Sequence, residues 1–103
     1  MQSQAKQVLI IHNNEEKSQA LALMVERAGH HVATTWSGID ALGLAKSRTF
    51  DLVLVNSYLA DMYVGEFFER FSRVSPLSSM IMIEEGEPHS STLIKLQPHL
   101  ETK

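Results

Sequence analysis

The chain has 103 residues, of which 44% are hydrophobic and 20% charged, and this composition is typical of an ordinary globular domain. That length fits a single domain over residues 1–103 and excludes two. The net charge of −3 with scattered Lys and Arg argues against nucleic acid, and the lack of cysteine excludes disulfides and thiolate sites. No signal peptide or membrane span is visible, so we expect a cytoplasmic protein without membrane partners.

The first half of the chain predicts two strands and one helix between them. Residues 8–11 are continuously apolar and predict the first strand. Asn14 can cap the helix that follows, and Gly29 suits the left-handed position that ends it. Residues 31–35 predict a second strand near a sheet edge, because this segment is less apolar. One helix stripe at core-facing spacing consists of Leu21, Met24, Val25 and Ala28.

The next segments continue the alternation of strands and helices. Ser37 can cap a second helix, and residues 51–56 predict a third strand that is covered on both faces. After a break at Pro76, residues 80–83 predict a fourth strand. The second helix would bury Ile39, Leu42 and Ala45, and the third would bury Val64, Phe67, Phe68 and Phe71.

This alternation predicts a parallel sheet with helices on both faces. Only residues 84–91 separate the fourth strand from the next apolar run, residues 92–94. A parallel crossover through a helix needs about a dozen residues. We therefore expect an abbreviated C-terminal region, with the fourth helix missing and residues 92–94 forming an irregular or antiparallel fifth strand.

Several segments together resemble the receiver domain of two-component response regulators. They are VLII followed by three polar residues and Glu, then VERAGHHV, WSGIDAL and FDLVLVNSYLADM. The resemblance covers residues 6–83. It implies an α/β, flavodoxin-like three-layer sandwich with strand order 2-1-3-4-5 and a site at the carboxyl ends of the strands.

The resemblance also locates a phosphorylation site. In the family, an acidic pair after the first strand holds Mg²⁺, and an Asp ending the third strand takes a phosphoryl group from a histidine kinase. A Thr or Ser ends the fourth strand and a Lys ends the fifth. In this chain the acidic pair falls on His12 and Asn13, the phosphoacceptor on Asn56, the Thr or Ser on Glu84 and the Lys on Lys95.

These replacements predict a degenerate site that does not accept phosphate. Mg²⁺ prefers anionic oxygen ligands, whereas His12 offers nitrogen and the two asparagines are neutral. An acyl phosphate needs a carboxylate nucleophile, which the amide of Asn56 does not provide. Glu84 would repel an incoming phosphoryl group and could instead pair with Lys95. We expect no catalytic residue, no metal and no cofactor.

Other interpretations of the same residues stay open at this point. His12 could ligate a metal together with Glu84, or act as a general base beside it in a ligand-binding or catalytic crevice. Asp61 could serve as a surrogate acceptor, although a solvated carboxylate is the simpler interpretation. Trp36 and Tyr58 are candidates for partner contact at the rim of the site.

The function that the resemblance favours is that of a pseudo-receiver in bacterial signalling. Such a domain acts through protein contacts, independently of phosphorylation and without being an enzyme. The expected partner is a sensor kinase, an output domain or a second copy of the chain, bound through apolar sheet left exposed at the C-terminal face. His30 and His31 lie away from this site, and we expect both in a surface loop.

Overall fold

The computed structural model describes residues 5–100 and shows four strands and four helices in strict alternation. Residues 1–4 and 101–103 lie outside the described residues. The prediction that the chain has no signal peptide falls in part on residues 1–4. In chain order the elements are β1 (Gln7–Ile11), α1 (Glu15–Arg27), β2 (His31–Thr35), α2 (Gly38–Ser47), β3 (Leu52–Asn56), α3 (Val64–Val74), β4 (Ser79–Ile83) and α4 (His89–Leu100). No helix in residues 5–100 is long and apolar enough to cross a membrane.

The strands form one parallel sheet with the order β2-β1-β3-β4, as predicted for the first four strands. In this register Val8 of β1 lies opposite Val32 of β2 and Leu52 of β3. All five residues of β3 are buried, as expected for a strand covered on both faces. The less apolar β2 lies at one edge, and β4 lies at the other.

Helices cover both faces of the sheet, which gives the three layers of a flavodoxin-like fold. On one face, α2 and α3 bury a cluster that includes Ala41, Phe67 and Phe71. On the other face, α1 and α4 bury a cluster that includes Leu21 and Leu96. Burying one large apolar side chain of this kind contributes about 1.5–3 kcal/mol, so the two clusters are the main source of stability.

Two stripe predictions are wrong in detail. Ile39 is 53% exposed, and its place in the core is taken by Ala41, which is fully buried. The reason is that α2 begins at Gly38 and turns Ala41 and Ala45 toward the sheet. Ala28 is exposed because α1 ends at Arg27 and Ala28 is its C-terminal cap.

The prediction for the C-terminal region is also wrong. The described residues contain a fourth helix and no fifth strand, since residues 92–94 lie inside α4. The physical reason is helical spacing: Thr92 and Leu96, four residues apart, are both fully buried. The segment between β4 and residue 92 is too short to hold a helix of its own. It is long enough for a turn that leads into α4, which includes residue 92.

A polar network joins α4 to β4. The carboxylate of Glu87 accepts hydrogen bonds from the Thr92 hydroxyl at 2.5 Å and from Lys95 Nζ at 2.6 Å. Lys95 Nζ also donates to the carbonyl of Met82 at 3.1 Å. The backbone groups of Ser79 and Ile83 form hydrogen bonds on the β3 side. Since alternate residues of a strand direct their backbone groups to opposite sides, the Met82 carbonyl faces the open edge of the sheet. Lys95 therefore blocks part of an edge that could otherwise pair with another strand.

Candidate functional site

The carboxyl ends of β1, β3 and β4 bring polar side chains together around Asn56. This residue is the last of β3 and is fully buried. Its Nδ2 group faces three acceptors: Asn13 Oδ1 at 3.1 Å, the Tyr58 carbonyl at 2.9 Å and Glu85 Oε2 at 3.3 Å. The predicted site residues His12, Asn13 and Asn56 therefore do lie at the same end of the sheet.

The other polar atom of Asn56 has no partner among the described residues. Its Oδ1 atom is buried and accepts no hydrogen bond. A flipped amide would place this oxygen against the acceptors of Asn13, Tyr58 and Glu85, so the surroundings determine its orientation. An unsatisfied buried acceptor costs about 1–3 kcal/mol. Exceptions of this kind in a folded protein are candidates for a functional role.

His12 follows β1 and is a buried, neutral imidazole. Its Nδ1 atom accepts a hydrogen bond from the backbone N–H of Asn14 at 3.0 Å, so the ring hydrogen is on Nε2. Burial lowers the pKa of His12; Glu85 opposes this shift, while Lys17 and His89 add to it. Near neutral pH the ring is therefore a hydrogen-bond donor through Nε2 and carries no charge.

The predicted roles of Glu84 and Lys95 do not match their positions. Glu84 is exposed, and the neighbouring Glu85 is the carboxylate that reaches Asn56. Lys95 lies on α4 rather than at a strand end, and its ion pair is with Glu87, not with Glu84. A turn causes the difference: the Glu87 N–H donates to the Glu84 carbonyl, and Gly86 has a positive φ of 76°.

Asp61 has a structural role that the sequence analysis missed. Its two carboxylate oxygens accept hydrogen bonds from the backbone N–H groups of Gly38 at 3.0 Å and Ile39 at 2.9 Å. Burial alone would raise the pKa of Asp61, but these two N–H groups and Arg70 outweigh it and lower the pKa. Asp61 is thus a capping ligand of α2, and is not simply a solvated carboxylate.

Four further residues can now be placed. His30 is buried, contrary to the predicted surface loop, because its Nδ1 accepts the Lys6 N–H at 2.9 Å. His31 is exposed and is the first residue of β2, which confirms the strand predicted over residues 31–35 and not the surface loop. Trp36 and Tyr58 are 65% and 58% exposed, and their contact with a partner stays a prediction. The buried His30 has no local sequence signal, because its hydrogen-bond partner is 24 residues away.

Two cavities open at this end of the described residues. One of about 420 Å³ lies between α1 and the ends of β1 and β2, and its lining includes His12, Ser18, Thr35 and Trp36. A second, of about 670 Å³, follows residues 57–66 between β3 and α3. Within residues 5–100, no three His, Asp or Glu side chains are grouped so that they could hold a metal ion.

Comparison with known proteins relates this fold to signalling proteins. No protein-family model matches the chain. The cell cycle transcriptional regulator CtrA of Caulobacter vibrioides is 33% identical to the chain over 88 residues, or 85% of its length. The chain spans only 38% of the length of that curated relative.

Solved structures agree with this relationship. The signal receiver domain of an HD domain-containing protein from Pseudomonas fluorescens superposes with a TM-score of 0.83 at 16% identity, over 97% of this chain and 90% of that one. This chain folds as a response regulator receiver (CheY-like) domain. Another receiver fold, a Burkholderia pseudomallei response regulator with a phosphorylated aspartic acid and a calcium ion, gives 0.74 at 22% identity, over 85% of this chain and 52% of that one.

Proposed function

We propose that this domain is a pseudo-receiver, a receiver fold that takes up no phosphoryl group and acts through protein contacts in bacterial signalling. In this proposal the domain is not an enzyme, works in the cytoplasm and needs no metal or cofactor. The observation that carries it is the amide of Asn56, buried at the end of β3. The resemblance to receivers puts the acceptor carboxylate at this position, and an amide cannot form an acyl phosphate.

The groups around Asn56 support the proposal. Asn13 and Tyr58 present neutral oxygens to its Nδ2 group, and within residues 5–100 Glu85 presents the one carboxylate in hydrogen-bond contact with it. At the other acidic position of the family stands the neutral ring of His12. Mg²⁺ prefers several anionic oxygens, so this set of ligands is poor for the ion that receivers use.

Phosphorylation of the intact chain tests the proposal directly. The protein is incubated with Mg²⁺ and acetyl phosphate, and its intact mass is measured. We expect no mass increase, and no shift of amide resonances near Asn56 when beryllofluoride is added. A combined His12→Asp, Asn13→Asp and Asn56→Asp variant supplies the missing carboxylates and is the positive control. Phosphate on the wild-type chain would overturn the proposal, and peptide mapping would then show whether Asp61 is a surrogate acceptor.

The partner that we propose is a protein, and nucleic acid is not favoured by the net charge of −3. A sensor kinase, an output domain and a second copy of the chain are the three candidates. An output domain is the natural first choice, since the relative CtrA is named a transcriptional regulator. The surface available at the C-terminal side is smaller than expected from the sequence, because α4 covers one face of the sheet.

Ile94 is the test residue for this surface. It is on α4, precedes Lys95 in the sequence and is 70% exposed. We expect Ile94→Lys to weaken self-association in analytical ultracentrifugation, or binding to the cognate kinase or output domain in titration calorimetry. Leu23→Lys, at a residue of α1 that is 48% exposed, is the matched control. Equal effects of both variants, or no effect of Ile94→Lys on any interaction, would contradict the proposed surface.

A further inference from the structure

The cavity between α1 and the ends of β1 and β2 shares Asn13 with the group of acceptors around Asn56, but neither Tyr58 nor Glu85 lines it. Its volume is about 420 Å³, within the range of small-molecule sites. It is formed by three different elements, so the fold brings its walls together. Lining side chains beyond His12 are Asn13, Glu15, Ser18, Gln19, Thr34, Thr35 and Trp36.

His12 lines this cavity with a hydrogen-bond donor that has no partner within residues 5–100. His12 is 5% exposed, lines the cavity, and uses Nδ1 to accept the Asn14 N–H. Its Nε2–H group makes no hydrogen bond within residues 5–100. Ser18, which is 7% exposed, adds a hydroxyl to the same wall. Within the described residues Asn56 Oδ1 is the buried side-chain polar atom that lacks a partner, so solvent reaches the His12 Nε2–H group through the cavity. A ligand acceptor placed in the cavity would take the place of that solvent contact.

The remaining walls restrict the chemistry of that ligand. Trp36 is 65% exposed at the cavity and offers an aromatic face on which a planar ring can stack. Glu15 contributes a carboxylate that repels anions and accepts N–H groups, and it already holds the Gln19 amide N–H at 3.2 Å. Among the residues that the structure describes, no Lys or Arg lines the cavity. An uncharged ring carrying an amide meets all three conditions.

We propose that this cavity binds an uncharged planar heteroaromatic amide, whose carbonyl accepts the His12 Nε2–H while its ring stacks on Trp36. The N–H groups of the ligand amide donate to Glu15 or to the Gln19 side-chain oxygen. This site goes beyond the pseudo-receiver proposal, because it gives the domain a small-molecule input of its own. Its success or failure is independent of whether Asn56 can be phosphorylated.

Trp36 is the only tryptophan of the chain, so its fluorescence reports directly on the site. Nicotinamide, uracil and hypoxanthine are the probes, and nicotinate, which replaces the amide of nicotinamide by a carboxylate, is the matched control ligand. We expect saturable quenching by at least one probe with a Kd of about 1 mM, as is usual for molecules of this size. Amide resonances of residues 12–19 and 34–36 should shift with the same Kd, and nicotinate should bind more weakly than nicotinamide.

Two variants distinguish this site from unspecific quenching. Ser18→Val narrows the cavity and removes its hydroxyl, and His12→Phe removes the donor; each should weaken binding by about tenfold or more. Ser72→Val and His31→Phe, at exposed positions outside the cavity, should bind as the wild type does, and circular dichroism checks that each variant is folded. The proposal is overturned if no probe binds saturably, if the shifts centre elsewhere, or if folded Ser18→Val binds as tightly as the wild type.

Discussion

Glu87 and Lys95 form an ion pair with a separation of 2.6 Å, and the Glu87 side chain in this pair is only 6% exposed. Lys95 Nζ also donates a hydrogen bond to the Met82 carbonyl of β4. Glu87 also accepts the backbone N–H of Glu84 at 3.0 Å. One carboxylate thus ties the turn before α4, the helix itself and the edge of the sheet together.

Glu87→Gln should therefore destabilise the domain by about 1–3 kcal/mol, because the hydrogen bonds that Glu87 accepts become weaker when the acceptor loses its charge. Urea denaturation measures this loss, with Glu84→Gln, at an exposed position, as the control. Burial alone would raise the pKa of Glu87, but Lys95, Thr92 and the Glu84 N–H outweigh it and lower the pKa. The unfolded state therefore takes up the proton first, and this stability is lost as pH falls below the ordinary range of a carboxyl. A variant with the acid sensitivity of the wild type would contradict this role.

Asp61 should contribute to stability by capping α2. Asp61→Ala removes both bonds to Gly38 and Ile39, and we expect a loss of about 1–2 kcal/mol in unfolding free energy. Asp61→Asn keeps an acceptor but loses the charge that favours a helix N-terminus, so about half of that loss is expected. Thermal and urea unfolding measure both, and Glu26→Gln on α1 is the control. Identical stability of Asp61→Ala and wild type would rule out the capping role.

His30 should make the domain sensitive to mildly acidic pH. Burial lowers its pKa from the ordinary 6.5, and Lys6 and His31 lower it further. Because the unfolded state binds the proton first, the stability that depends on neutral His30 is present above pH 6.5 and falls below it. His30→Asn keeps an acceptor for the Lys6 N–H and should flatten the stability profile between about pH 7.5 and about pH 5.5. An unchanged profile, or the same flattening in His31→Asn, would contradict this assignment.

The aromatic cluster of α3 offers a comparison of two neighbouring positions. Phe71 is fully buried against Phe67, with ring centroids 5.3 Å apart, whereas Phe68 is only partly buried. We expect Phe71→Ala to cost about 3–5 kcal/mol and Phe68→Ala about half as much. Since small domains have about 5–15 kcal/mol in total, Phe71→Ala approaches complete unfolding. Calorimetry compares them, and equal losses would mean that burial is not the deciding factor.

Much of the fold was predictable from the sequence, because its signals are local. Continuous apolar runs identify β1 and β3, and side chains at helical spacing identify α1 and α3. The caps at Asn14 and Ser37 were also predicted, and both side chains accept the expected backbone N–H groups. The resemblance to receivers then supplied the order of the first four strands.

The misplaced features depend on contacts between distant or turn-forming residues. Thr92 begins a short apolar run that fits a strand as well as a helix, and in the structure its fully buried side chain lies on α4. Leu96, also fully buried, could have indicated the helix because it follows Thr92 by four residues. Glu85 takes the place predicted for Glu84 because of the turn at Gly86. The predicted position is thus wrong by one residue, and it is the Glu85 carboxylate that reaches Asn56.

The bonding of Asn56 makes the present site hard to convert one residue at a time. A lone Asn56→Asp change would replace an N–H donor by a charged oxygen facing Asn13, Tyr58 and Glu85, which now all accept from that donor. The new carboxylate would be repelled by its own neighbours until a cation or further substitutions compensated for it. Evolution toward a phosphate acceptor would therefore have to pass through an intermediate of low stability. Once the amide and its acceptors are in place, a single substitution back to Asp is disfavoured.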